Sequence, residues 1–176
     1  MDRQVLITKQ IDTPLGPFLA GAMDSAVCLL EFTDSDRVEL QLASVCRSLN
    51  AVAQPGDHPL LEALAFELGE YFNGARCAFS VPLRPPGSAF QQAVWNALRA
   101  VPYGETRSYT QVAVMLGAPR ASRAVGAANG RNPISILIPC HRLVGSDGSL
   151  TGYGGGLWRK QRLLDLEREW QSKTAG

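Results

Sequence analysis

The chain is poor in histidine, with two, and its four cysteines (Cys28, Cys46, Cys77 and Cys140) stand far apart with no CxxC pair. That spacing supports neither a zinc ribbon nor a disulfide scaffold. It fits a reducing compartment, and a cytoplasmic protein is expected. No apolar run approaches the ~20 residues of a membrane helix, so no membrane partner is expected. The opening Met1-Asp2-Arg3-Gln4 has no basic stretch ahead of an apolar one, which leads us to expect a protein that is not secreted. What remains is ordinary globular composition: 176 residues, 45% hydrophobic and 19% charged. A chain of this length buries ~70% of its unfolded surface, as one large domain or two small ones.

The formal net charge of +1 hides an asymmetry. Residues 1–85 hold 6 Lys+Arg against 11 Asp+Glu, a net of −5, whereas residues 86–176 hold 11 against 5, a net of +6. A basic back half suits contact with a polyanion.

Residues 4–11, 17–23 and 26–32 are short apolar or β-branched runs separated by turn chemistry at residues 13–17 and at Asp24-Ser25. They predict an antiparallel meander. Asp36 with Glu39 predicts a helix start, followed by the stripe Val38, Leu42, Val45 and Leu49. Residues 54–57 (QPGD) break that pattern, and a second helix is expected from Pro59 to Gly74. The proline-rich stretch 80–88 reads as a linker, placing one domain at 1–84 and another at 85–176.

Two capping boxes open the second half, Ser88 with Gln91 and Ser108 with Gln111. Phe90, Val94, Leu98 and Val101 form the stripe after the first; Val112 and Leu116 form that after the second, which Gly117 closes. A further helix is expected over 120–131, making a helix-turn-helix or an ordinary helix corner. Ala121, Ser122, Ala124, Gly126, Ala127 and Ala128 leave that helix almost without bulk. Such a surface suits either burial against a neighbour or the DNA minor groove, which is only ~6 Å wide.

The apolar run Ile134–Ile138, read as a buried strand or extended segment, empties into Pro139-Cys140-His141-Arg142. Cys28, Cys46 and Cys77 read as small hydrophobes. Cys140 stands apart because cationic neighbours raise the thiolate fraction. Adjacent residues of an extended chain face opposite ways, so His141 would reach the sulfur only through a water or a sharp turn. Glu167, among Leu163, Leu164 and Leu166, is a helix-surface charge or the group that fixes the imidazole. The glycine-rich segment 148–156 is a flexible turn or a bare wall for a flat ligand.

Residues 123–167 resemble the methylated-DNA–protein-cysteine methyltransferases, which repair 6-O-alkylguanine. The shared features are Pro-Cys-His-Arg, the upstream R-A-V-G and N-P, and the downstream G-Y-x-G-G and L-L-x-x-E. The resemblance reaches back through 104–113 and 90–95; the front half matches in general layout only. It implies an α/β N-terminal support domain, ribonuclease-H-like, with a three-stranded antiparallel sheet and helices. It also implies a mainly α, winged-helix-like C-terminal domain with a helix-turn-helix.

Cys140 would be the irreversible alkyl acceptor, and His141, through a water, with Glu167 the relay that makes its thiolate. Tyr109 would donate to the departing guanine, and Arg123 would fill the vacated stack. Ala121, Ser122, Ala124 and Gly126 would rest in the minor groove, and Asn132 would brace the active-site loop. Leu143, Tyr153 and Gly154 would line the pocket of the everted base. The partner implied is duplex DNA carrying 6-O-alkylguanine or 4-O-alkylthymine, met by a monomer that can cluster on DNA, with no cofactor.

Some family members have serine where Gly154 stands, which implies a roomier pocket here. Others hold zinc in the front domain; Cys28, Cys46, Cys77 and His58 do not match that arrangement, so no metal is expected. The rival readings are a DNA-binding protein without catalysis and a cysteine hydrolase. The first requires Cys140 to be dispensable, and the second requires multiple turnovers.

Overall fold

The computed structural model describes residues 3–175, so Met1 and Asp2, on which the N-terminal reading partly leans, lie outside it. The described residues fall into two compact units, divided between Pro86 and Gly87.

In the first unit the meander forms as β1 (Gln4–Ile11), β2 (Phe18–Met23) and β3 (Ala26–Phe32), with antiparallel pairing throughout. A fourth strand, β4 (Ala51–Pro55), joins β1 in parallel, giving the order β3-β2-β1-β4 and a mixed sheet. The QPGD stretch read as a break therefore overlaps a strand. Asn50, at φ 48°, turns the chain into it. Helix α1 (Val38–Ser48) packs on β3 and β4, and α2 (Pro59–Phe72) packs on β2 and β3. One core joins Leu6, Met23, Leu29 and Val45, with Leu42 and Leu49 packed against it. Each such buried side chain contributes about 1.5–3 kcal/mol.

One local expectation is corrected. Asp36 does not cap α1, whose N-cap residue is Arg37 without a side-chain bond. The stretch after α2 is tied down at its start: Val27 N donates to Pro82 O and Arg84 N to Val27 O, both at 2.8 Å.

The second unit has both capping boxes. Ser88 and Gln91 open α3 (Ala89–Arg99), and Ser108 and Gln111 open α4 (Tyr109–Met115). Val94, Trp95 and Leu98 face inward from α3, while Phe90 is partly exposed. Gly117, at φ 69°, ends the second of these helices, and α5 (Ser122–Gly130) follows. The Trp95 indole donates to Ala128 O at 3.0 Å and so fixes α3 to α5. Two short parallel strands, β5 (Arg107–Ser108) and β6 (Leu143–Val144), flank the helix-turn-helix in sequence. Helix α6 (Leu157–Thr174) closes the unit. No helix among the described residues is long and apolar enough to cross a membrane.

Candidate active site

The run Ile134–Ile138 is buried but is no strand. It turns, with Leu137 N bonded to Ser135 O and Ile138 N to Ile134 O. Ile136 sits at φ 69°, a region that costs a β-branched residue about 1–3 kcal/mol. Asn132 holds the turn from both ends: its Nδ2 donates to Ile138 O, and its Oδ1 accepts from Ile134 N, each at 2.9 Å.

Past Pro139 the chain enters a one-turn 3-10 helix, Cys140–Arg142. The sharp turn left open by the sequence is therefore present, and the extended-chain argument against adjacency does not apply. Cys140 is 6% exposed and His141 fully buried.

Glu167 is also fully buried on α6, which excludes the helix-surface reading. It accepts from His141 Nε2 at 2.7 Å, Arg142 Nε at 2.9 Å, Arg142 Nη2 at 3.0 Å and Gly104 N at 3.0 Å. Burial opposes its ionisation, but His141 and Arg142 outweigh that and hold the carboxyl well below the usual range. An ionised carboxylate only accepts, so Nε2 of His141 carries the proton and Nδ1 is left as the basic nitrogen. That Nδ1 is buried without a hydrogen-bond partner among the described residues.

Arg142, read from sequence as a cation beside the thiol, is instead committed to Glu167 and to Val101 O, the latter at 2.7 Å. Gly104 fits because a Cβ there would lie 2.3 Å from the Gln171 side chain and its φ is 80°. Neither Gly104 nor the Arg142–Glu167 pairing was legible, since both depend on α6 returning to the turn.

The glycine-rich segment is held by its carbonyls. Tyr109 OH donates to Thr151 O at 3.1 Å, Lys160 Nζ donates to the same oxygen at 2.9 Å, and Arg159 donates to Gly155 O at 3.2 Å. Tyr153 and Gly154 lie on this segment, both half-buried. Leu143 is fully buried at the start of β6, paired with Arg107.

On α5, Val125, Ala128 and Asn129 point inward, whereas Arg123, Ala124 and Ala127 are exposed. The small residues thus leave an open face flanked by exposed Arg120 and Arg131, rather than lining a buried helix. Ala121 is the N-cap residue, Ser122 begins the helix, and a Cβ on Gly126 would lie 3.5 Å from the Tyr109 ring.

Of the other thiols, Cys28 is buried and pushed by desolvation up to about 11. Cys77 is exposed, contrary to its reading as a packed hydrophobe. Among the described residues no three His, Cys, Asp or Glu side chains converge as a metal site requires.

Comparison with known proteins agrees with this arrangement. Residues 89–169 match the DNA binding domain of 6-O-methylguanine DNA methyltransferase, and residues 6–85 match its ribonuclease-like domain. The chain belongs to the 6-O-methylguanine DNA methyltransferase family. It is 50% identical over 149 residues to the methylated-DNA–protein-cysteine methyltransferase of Mycolicibacterium paratuberculosis, covering 83% of this chain and 90% of the relative. The Methanosarcina barkeri protein of that name is 43% identical, with 89% and 94% covered. Among solved structures, Mycobacterium tuberculosis OGT in complex with DNA superposes with a TM-score of 0.78 at 41% identity, covering 94% of each chain. The methyltransferase family thus accounts for both halves, including the front one, where the sequence alone offered only a general layout.

Proposed function

We propose that this protein repairs DNA by direct reversal, everting 6-O-alkylguanine through the minor groove and moving its alkyl group to Cys140. The observation that carries the reading is the buried turn in which Cys140 precedes a histidine held by Glu167 at 2.7 Å, in a chain of this family.

The thiol proton passes to His141 Nδ1 through a bridging water, while Glu167 stabilises the imidazolium that results. The thiolate then attacks the alkyl carbon in line: a sulfur–carbon bond forms as the carbon–oxygen bond breaks, and the electron pair leaves with the guanine. The base takes up a proton and returns as guanine. Tyr109 offsets the negative charge that develops on the ring. Its hydroxyl, now donating to Thr151 O, turns to the base when the base arrives. A thioether is too poor a leaving group to return the alkyl group, so each molecule acts once. The lesion is the alkyl donor, so the step draws on no cofactor.

Eversion costs a few kcal/mol, less where damage weakens pairing. Arg123, exposed at the front of α5, replaces the lost stacking. Ala121, Ser122, Ala124 and Gly126 admit the helix to the groove. Asn132 keeps the Cys140 turn in place, and Leu143, Tyr153 and Gly154 bound the base. Gly154 leaves space for adducts bulkier than methyl, and 4-O-alkylthymine is a second substrate. Residues 1–84 support the DNA-binding and acceptor part, 85–176. The protein works as a monomer that can cluster on DNA.

The test is a duplex with one 6-O-methylguanine labelled in its methyl group. The label is expected on the Cys140 peptide at one per protein, and Cys140→Ala should bind the duplex without taking label. Label on another thiol, or turnover beyond one, overturns the reading.

A further inference from the structure

The glycine-rich segment 148–156 holds a shape that its own composition opposes. Five of its nine residues are glycine, and glycine loses more conformational freedom on ordering than any other residue. Two consecutive residues of α6 tie it from outside. Lys160 donates to Thr151 O at 2.9 Å, and Arg159 Nη1 donates to Gly155 O at 3.2 Å. Tyr153 and Gly154 lie between those two points. Gly155 is buried, so its carbonyl needs such a partner.

Arg159 suits that tie. It is only 5% exposed, and its guanidinium carbon lies 4.7 Å from the centre of the Trp158 ring. A planar guanidinium stacks on an aromatic face and still donates from its edge, which the compact ammonium of lysine does not match. Trp158 is 57% exposed, so its ring adds little to the core. What it covers is Arg159 and Gly156. A Cβ on Gly156 would lie 3.3 Å from the indole, and φ there is 91°. The ring thus rests on bare backbone one residue from the carbonyl that Arg159 holds. Less water around that bond strengthens it.

We propose that Arg159 is a positioning residue that fixes Gly155 and, with it, the wall of Tyr153 and Gly154, while Trp158 shields the tie from water. The inference rests on the reading that this wall bounds the everted base. In the proposed reaction the Tyr109 hydroxyl leaves Thr151 O for the base. The tie at Gly155 persists through that step and keeps the wall in place. Arg159 acts on binding rather than on transfer, because Asn132 and Glu167 hold the Cys140 turn separately.

Amide hydrogen exchange of the free protein reads the tie without DNA. The Gly156 amide donates to Tyr153 O at 2.9 Å. In Arg159→Met it should exchange about tenfold faster or more, with peptides covering 134–142 unchanged. Trp158→Ala, a change at the surface, should speed the same amide by about twofold to fivefold. Unaltered exchange in Arg159→Met overturns the proposal. Should that variant fail to fold, Trp158→Ala decides, and unaltered exchange there overturns it equally. Single-turnover transfer is then followed against the concentration of a 6-O-methylguanine duplex. The half-saturating concentration should rise about fivefold or more in the variant with the faster exchange, and the limiting rate should stay within about twofold of wild type. A lower limiting rate at unchanged half-saturation overturns the proposal, and so does faster exchange with neither constant altered. Wild-type protein that takes no methyl from the duplex overturns the repair reading instead, because the exchange measurement uses no DNA.

Discussion

Arg142 grips Glu167 through Nε and Nη2, at 2.9 and 3.0 Å, so the guanidinium two residues after the cysteine serves the carboxylate that orients His141. Replacing Glu167 by Gln keeps the shape but leaves Arg142 buried without a counter-charge. Breaking one side of such a pair costs about 3–5 kcal/mol. Denaturant titration should show that loss for Glu167→Gln, together with slower methyl transfer to Cys140 in whatever protein remains folded.

The same pair sets the acid limit of stability. The folded-state pKa of Glu167 is lowered, so its contribution is fully present above the ordinary carboxylate value of about 4.3 and is lost as pH falls below it. Wild-type stability should therefore fall on acidification below about pH 4. Glu167→Gln, already weakened, should show a shallower slope there. Parallel slopes would mean that other carboxylates carry the acid transition.

What the sequence disclosed and what it hid follow a physical division. The boxes at Ser88/Gln91 and Ser108/Gln111 are local: each spans four consecutive residues and needs no distant partner, and each forms. Strand β4 is invisible because only Ala51 of its five residues is buried, leaving no alternation to read, and Pro55 looks like a stop. The Ile134–Ile138 run imitates a strand because all its residues are buried whatever their backbone does. Only coordinates reveal Ile136 at φ 69°. In the site, Cys140, His141 and Glu167 were legible as types and through the family resemblance. Lys160 gave no signal in the sequence, because only the folded chain shows it buried on α6 against the Thr151 carbonyl.

The three thiols other than Cys140 should separate from one another in a labelling experiment. Cys77 is exposed and Cys46 half-buried, while Cys28 is buried in β3 with its thiol pushed up to about 11. Iodoacetamide on native protein near pH 8, followed by peptide mass spectrometry, should mark Cys77 first and leave Cys28 until unfolding. Because the folded value of Cys28 is raised, its stabilising effect holds below its ordinary value of about 8.5 and disappears as pH climbs through 11. Early labelling of Cys28 would contradict its burial.

Gly126 separates folding from DNA contact. A methyl group there meets the Tyr109 ring at 3.5 Å, an ordinary contact, so Gly126→Ala introduces no clash. Alanine in place of glycine within a helix favours folding by up to about 1 kcal/mol. The variant should melt at or above the wild-type temperature and yet transfer methyl from duplex DNA more slowly. Full-rate transfer would remove Gly126 from the set that approaches the groove.

Arg123 offers the cleanest division between reading DNA and performing the transfer. It is exposed on α5, so Arg123→Ala should alter stability by no more than about 0.5 kcal/mol. The Cys140 turn, held by Asn132 and Glu167, does not depend on it. Methyl transfer from the lesion in a duplex should therefore slow sharply, because nothing fills the gap left by the everted base. Transfer from the free methylated base, which has no stack to leave, should proceed at the wild-type rate. Equal losses on both substrates would place Arg123 in the chemistry of the pocket rather than in eversion.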